Sequence, residues 1–496
     1  MRCTFKMILI LLSAPVLFFS CKQHEEDQNP AYSSTIESKI NQVENNLGTW
    51  VQIEGDTARL TLKDRMKQYN IRGLSIAVIR NYKIEWARGY GTMDTATNEP
   101  VSTQTLFQAG SISKSLNAVG LLKLVQDKKI DLYADINNYL EKWKFPYDTV
   151  SQNKKISLAN LLSHTAGLSI HGFPGYERGD TIPSLTDILD GKAPANTKAV
   201  RSEFAPGLRY QYSGGGTTIS QLMAMDITGQ AYADYMWNQV LKPLGMTMSS
   251  YNQPPAKDKE KFLATGYHED GIEVKGKYHV YPEQGAAGLW TNPTDIATYI
   301  IETQLSLQGK SNKVLSQEMT KLRLTPYIDS SAALGVFIET KGGEKYFGHG
   351  GADEGFLSTY KGSFENGNGV VVMVNSNNGN MLNEVVNSVA LVYGWKDFYK
   401  PVIKKIKPVA DSLFANYTGT YTIYKDTLSL VRQGNTDYLV FAANEKYKIY
   451  FTADDEFFSK EMPMDLKFEK NEAGKITGFY FMNEEKKQLV RKIPGL

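Results

Sequence analysis

The sequence predicts an α+β fold: an antiparallel sheet flanked by helices, followed by a small all-β barrel or sandwich. Three observations carry that prediction. Helical and strand-like segments succeed one another over residues 36–125 without the regular alternation that a parallel sheet requires. A long helix with one apolar stripe opens near Ser111. Past a proline-bounded stretch at 401–408 the texture changes to short strands separated by turn residues.

The chain has 496 residues, enough for two or three domains and a large core. Its 55 basic and 53 acidic residues leave a net charge of +2, which argues against nucleic acid as the main partner. A hydrophobic content of 42% is ordinary for a globular protein. The N-terminus reads as a targeting segment at 1–20: Arg2 and Lys6 supply positive charge and residues 7–19 form an apolar run too short to span a bilayer. It ends at Ser20-Cys21 and resembles a bacterial lipoprotein signal, although Phe18 and Phe19 depart from the usual box. That resemblance implies lipidation of Cys21 and a membrane anchor facing the periplasm or the cell surface. Removal of Cys3 with the signal would leave Cys21 alone, so neither an internal disulfide nor a cysteine metal site is expected. Residues 21–45 are expected to form a charged tether and the start of a helix.

Residues 36–47 and 57–69 read as helices, the second with an imperfect stripe of Leu60, Leu62, Met66 and Tyr69. Gly73-Leu-Ser-Ile-Ala-Val-Ile79 reads as a buried strand, Arg80-Asn-Tyr82 as a turn, and Ile84-Glu-Trp-Ala-Arg-Gly-Tyr90 as the returning strand. Residues 156–168 read as a short helix ending at Gly167. His164 in it is a candidate general base, but a lone histidine at a helix end more commonly caps or packs. Residues 170–205, rich in Gly, Pro, Asp and Thr, read as a surface excursion near a cleft. A strand-like run at 206–212 meets Gly214-Gly-Gly216, with a helix expected over 217–227. No Gly-Lys-Ser/Thr follows those glycines, which rejects a nucleotide loop. Residues 285–295 read as a turn into a helix capped between Asn292 and Asp295. Residues 345–356 read as a strand running into a glycine-lined loop, 357–364 and 369–375 as two further strands, and 381–393 as a closing helix. A linker is expected at 399–409. Beyond it, strands at 417–423, 427–431, 438–441, 447–451, 466–468 and 476–481 make an all-β domain of 410–496.

The chemistry centres on Phe107-Gln-Ala-Gly-Ser111-Ile-Ser-Lys114. Apolar residues at Ile112, Leu116, Val119, Leu122 and Val125 step by three or four, so the stretch is a helix. Lys114 then lies one turn along from Ser111 on the same side. A serine becomes a nucleophile when a base takes its proton. A lysine serves as that base when burial and the positive end of a helix disfavour its ammonium form. The helix start also offers backbone N–H groups to a developing oxyanion. Spacing alone is weak evidence: Ser151 to Lys154 and Ser358 to Lys361 match Ser-x-x-Lys too. The first of these lies in a polar loop, and the second in a strand-like run where residues three apart face opposite ways. Tyr212, on a turn beside glycine, can present its hydroxyl into a cleft, but taken alone it reads more readily as a core aromatic. No ligand pattern for a metal or an organic cofactor is found.

Taken together, Tyr69-Asn-Ile-Arg-Gly-Leu-Ser-Ile-Ala-Val, Thr105-Leu-Phe, Leu161-Leu-Ser-His-Thr-Ala-Gly-Leu168 and Pro206-Gly, with the Ser111 helix, Tyr212-Ser213-Gly214 and His349-Gly350-Gly351, resemble the class C β-lactamase and D-alanyl-D-alanine carboxypeptidase superfamily of penicillin-recognising serine hydrolases. The resemblance covers the expected hydrolase domain, 46–398, and implies an all-helical subdomain beside the sheet. It implies Ser111 as nucleophile of an acyl-enzyme, with Lys114 and Tyr212 as base and acid. It implies the N–H groups of Ser111 and Ala352 as oxyanion hole, and Ser213, Gly214, His349, Gly350 and Gly351 as substrate-binding residues. The all-β domain resembles an accessory domain often fused to such hydrolases. Two departures stand out. Gly214 replaces the usual asparagine, and His349 replaces a lysine that meets a substrate carboxylate, so a fixed positive charge is missing. These changes suit an esterase or a D-amino-acid peptidase better than an efficient β-lactamase. A penicillin-binding sensor that is acylated without turnover is the alternative of a different class.

Overall fold

The computed structural model describes residues 30–493 except 57–58, 424–425, 442–445, 463–464 and 483–486. The expected signal, Cys21 and most of the tether lie outside the described residues. Among the described residues no helix is long and apolar enough to cross a membrane.

A seven-stranded antiparallel sheet organises the larger part of the chain. Its order is Glu99–Pro100, Lys83–Asp94, Gly73–Arg80, Gly369–Val374, Phe356–Ser363, Glu344–Asp353 and Phe337–Lys341. The expected turn after Arg80 is there, with Asn81 and Tyr82 both at positive φ, as a tight hairpin between right-twisted strands requires. Both sheet faces are covered. Leu74, Ile76, Val78, Val370, Val372 and Val374 pack in one core with Ile40, Val43, Val385 and Val389 of the helices Ser34–Glu44 and Asn380–Val392. Ala77, Ile79, Val371 and Met373 face the other core, with Ile296 and Ile300 of the helix Pro293–Leu307. The period of two sorts each strand between two cores, and a strand buried on both faces reads as one apolar run. A largely helical region lies in the chain between Glu99–Pro100 and Phe337–Lys341, with Ser113–Gln126 and Gly214–Thr228 as its longest helices before residue 293; it also holds one short strand pair, Phe107–Gln108 with Trp290–Thr291.

Local capping shortens several expected elements. The helix expected over 57–69 is Leu62–Gln68, because Thr61 accepts the Asp64 N–H at 3.1 Å and starts it. That expected over 156–168 is Leu158–Leu162, opened by a Ser157–Asn160 capping box and left at His164, which has φ +58°. The run 206–212 turns at 206–209, with Gly207 at φ +80°, and belongs to no strand, and the three glycines are the first turn of the helix Gly214–Thr228 rather than a loop. The expected glycine loop at 350–351 is strand.

The expected linker contains a strand, Val402–Lys404, which pairs in parallel with Val51–Ile53. After it, eight strands from Gly419–Ile423 to Lys487–Lys492 form a sequential antiparallel barrel, closed by Tyr421 against Lys492. Two of them, Glu456–Ser459 and Lys487–Lys492, are absent from the sequence reading. The barrel has its own core, including Leu428, Leu439, Phe457, Leu466 and Phe479. It meets the rest of the chain where the Trp50 indole donates to the Ser459 carbonyl at 3.2 Å and Lys404 pairs with Asp465 at 2.6 Å.

Candidate active site

Ser111 sits in a single 3-10 turn, Gly110–Ile112, that runs directly into the helix Ser113–Gln126. Side chains pin this turn. The Ser113 hydroxyl donates to the Gly110 carbonyl at 2.6 Å and accepts the Leu289 N–H at 3.0 Å. The Ser358 hydroxyl donates to the Ala109 carbonyl at 3.0 Å. Gly110 has φ +50°, and a Cβ there would lie 2.4 Å from the Ala352 nitrogen, so only glycine fits. Gly351 is equally constrained: a Cβ would meet the Ala109 carbonyl oxygen at 1.9 Å. These two glycines let the Ser111 turn lie directly on the strand Glu344–Asp353.

Lys114 is 4% exposed, and its Nζ reaches the Ser111 Oγ at 2.9 Å and the Ala286 carbonyl at 2.7 Å. The first distance is within reach for proton transfer. The same nitrogen lies 5.0 Å from the centroid of the Tyr212 ring. Tyr212 is held from behind by His164, whose ring lies 4.3 Å away. The Ser213 N–H donates to His164 Nδ1 at 3.2 Å, so that nitrogen carries a lone pair. Burial, then the charge of Lys114, pushes His164 well below the ordinary histidine range. His164 therefore packs and orients the tyrosine segment as a neutral ring, in line with the structural reading of that residue.

Ala352 follows from the hairpin geometry. Asp353 pairs with Phe356 across the two-residue turn Glu354-Gly355. Pairs along an antiparallel ladder alternate between bonded and non-bonded. With the turn-flanking pair bonded, the Ala352–Leu357 pair is not, and the Ala352 N–H points away from the neighbouring strand. Gly110 approaches that nitrogen, which sets the Ser111 and Ala352 N–H groups beside one cleft.

A cleft of about 470 Å³ opens here, lined by Ser111, Tyr212, Phe337, His349, Gly350 and Ala352 among others. His349 is 5% exposed; its Nδ1 donates to the Gly350 carbonyl at 2.6 Å and its Nε2 is buried without a partner among the described residues. Burial, then Lys114, pushes its pKa down to about 3. The ring is neutral and offers an acceptor. Phe337, which the sequence reading missed, stands 5.0 Å from His349 and completes an aromatic wall with Tyr212. Nothing local to 337 signals this, because the wall is assembled from separate strands and loops.

Two expected substrate-binding residues are corrected. The Ser213 hydroxyl accepts the Gly216 N–H at 2.9 Å and donates to the Ser169 carbonyl at 2.9 Å, so it caps the helix and is spent there. Gly214 is buried against Phe173, whose ring edge a Cβ would meet at 2.9 Å; a longer side chain would have to displace that ring. Neither residue lines the cleft. Ser111, Lys114, Tyr212, His349, Gly350, Gly351 and Ala352 are brought together. Among the described residues no cluster of three or more His, Cys, Asp or Glu side chains could hold a metal.

A serine and a buried lysine at the foot of a cleft, on the flank of an antiparallel sheet with a helical region alongside, define the class of penicillin-recognising serine hydrolases. The chain belongs to the beta-lactamase family, whose model matches residues 58–393. Among curated relatives, Protein flp of Staphylococcus aureus (strain N315) is 26% identical over 318 residues, 63% of this chain and 61% of the relative. The putative penicillin-binding protein PbpX of Bacillus subtilis (strain 168) is 23% identical over 279 residues, 56% of this chain and 64% of the relative. The chain thus spans less than two thirds of the length of these relatives. The octameric penicillin-binding protein homologue from Pyrococcus abyssi shares the fold with a TM-score of 0.59 at 20% identity, covering 87% of this chain and 98% of that one. The penicillin binding protein from Bacillus halodurans gives 0.54 at 20% identity, over 67% of this chain and 98% of that one.

Proposed function

We propose that this chain hydrolyses uncharged esters or amides through an acyl-enzyme on Ser111, as an esterase or a peptidase acting on D-residues. The observation that carries the reading is the 2.9 Å contact between Lys114 Nζ and Ser111 Oγ at the foot of the cleft. In its uncharged form Lys114 takes the hydroxyl proton as the serine oxygen bonds to the substrate carbonyl carbon. The Ser111 and Ala352 N–H groups receive the developing oxyanion. The bond to the leaving group breaks, and the leaving alcohol or amine takes a proton from the Lys114–Tyr212 pair. Water then gives a proton to the same pair as its oxygen bonds to the acyl carbon, the bond to Ser111 Oγ breaks, and the serine oxygen takes the proton back as the acid leaves.

Substrate preference follows from charge. No Lys, Arg, Asp or Glu is among the described residues lining the cleft, and the neutral His349 stands where a cation would meet a carboxylate. Acyl groups without a carboxylate suit this cleft, and Phe337 and Leu382 favour apolar ones. β-Lactam turnover is expected to be poor. The test is release of p-nitrophenol from a short-chain acyl ester. Ser111→Ala is expected to abolish it while the circular dichroism spectrum stays unchanged; a mutant as fast as the wild type refutes the reading.

A further inference from the structure

Two buried acids behind the nucleophile turn take no part in the steps above. Asp353 is 7% exposed and ends the strand Glu344–Asp353, one residue past Ala352. Its Oδ2 accepts the Gly110 N–H at 3.2 Å, and its Oδ1 is buried without a partner among the described residues. Glu283 is fully buried with neither oxygen partnered among the described residues. It opens the helical turn Gln284–Ala287, whose Ala286 carbonyl receives Lys114.

Gly110 precedes Ser111, and Asp353 follows Ala352. One hydrogen bond therefore joins the two backbones that supply the oxyanion donors. We propose that Asp353 is a positioning residue of the oxyanion hole: its carboxyl clamps the Gly110 N–H to the Ala352 strand and sets the spacing of the Ser111 and Ala352 N–H groups. The proposal rests on the reading of Ser111 as nucleophile.

The groups around the clamp fix its form. Burial pushes Asp353 well above the ordinary carboxyl range; Lys114 and the Gly110 N–H pull it down, and Glu283 and Glu354 push it up. Tyr281, whose hydroxyl accepts the Glu354 N–H at 2.9 Å, faces the same acids. Burial thus favours the protonated acid, and the Asp353 oxygen that accepts from Gly110 is an acceptor that asparagine reproduces. A neutral clamp holds the donors without placing negative charge beside a developing oxyanion, where a low dielectric would make it costly.

The test compares Asp353→Ala and Asp353→Asn with wild type in ester turnover and in affinity for phenylboronic acid, which forms a tetrahedral adduct on an active serine. Asp353→Ala is expected to lower kcat about 10²-fold, the scale of losing one oxyanion donor, and to weaken the boronate in parallel. Its KM should change less than about threefold, and Asp353→Asn should return kcat to within about threefold of wild type. Full kcat in the alanine variant, undiminished boronate affinity, or an asparagine no better than alanine overturns the proposal. Ser111→Ala in the same assay separates the two readings. If it still turns over ester, the nucleophile reading falls; if it is dead while Asp353→Ala runs at full rate, only the clamp falls. Should the alanine variant not fold, amide exchange at Gly110 in the wild type decides: protection of about 10²-fold or more supports the clamp, and exchange at the open-amide rate overturns it.

Discussion

Glu283 shows what one buried acid does to the energetics around it. Burial pushes its pKa from the ordinary 4.5 up to about 8. Between those values the folded chain holds a proton that the unfolded chain has released. Stability from this group is therefore complete below about 4.5 and is lost as the pH rises through about 8. At about 1.4 kcal/mol per unit, the loss is on the order of 4–5 kcal/mol. Glu283→Gln keeps the shape and removes the titration. Urea unfolding at pH 5 and pH 9 should show the wild type losing more stability than Glu283→Gln by several kcal/mol; equal losses would remove Glu283 as the cause. His349 works in the opposite direction. Its depressed pKa of about 3 means that stability present above the ordinary histidine value is lost as the pH falls.

The nucleophile turn shows how two elements are made to fit. The strand Glu344–Asp353 and the turn Gly110–Ile112 touch through backbone, because neither Gly110 nor Gly351 has a side chain to keep them apart. Gly110→Ala adds a left-handed residue, costing about 1–3 kcal/mol, and a methyl group against the Ala352 nitrogen. The turn must lift from the strand, so both a lower melting temperature and a kcat reduced by at least about 10²-fold are expected, read by calorimetry and ester turnover. This fit also explains what the sequence makes legible. The apolar step of Ile112, Leu116, Val119 and Leu122 is a local period, and those residues are buried as it implies. The two-sided strands around Leu74 and Val372 are equally plain. The glycine-rich end of Glu344–Asp353 reads as loop, because glycine weakens a strand in isolation; only the turn lying on it explains why it is strand. Tyr212 is held by His164 and a helix cap, neither of which shows in the alternation of 206–212. Ser213 and Gly214 occupy positions of the family motif, Gly214 in place of its asparagine, yet capping and the Phe173 ring remove them from the cleft. Glu456–Ser459 and the charged strand Lys487–Lys492 carry too little alternation to announce themselves.

At the scale of the whole chain, three separate cores divide the labour. Two sandwich the seven-stranded sheet, and the third fills the barrel. Among the described residues none of the barrel lines the Ser111 cleft. Among the described residues the barrel meets the body through Trp50 on Ser459 and Phe458 and through the Lys404–Asp465 and Lys460–Asp56 pairs. Domains with separate cores depart from two-state unfolding. Scanning calorimetry is expected to resolve two transitions, with active-site loss tracking only one; a single coincident transition for barrel and body would contradict this. The parallel ladder of Val51–Ile53 with Val402–Lys404 has a mechanical consequence. The segment that follows the first helix and the segment that leads into the barrel lie side by side and run the same way. A pull between residue 50 and the barrel therefore loads those three rungs lengthwise, in shear.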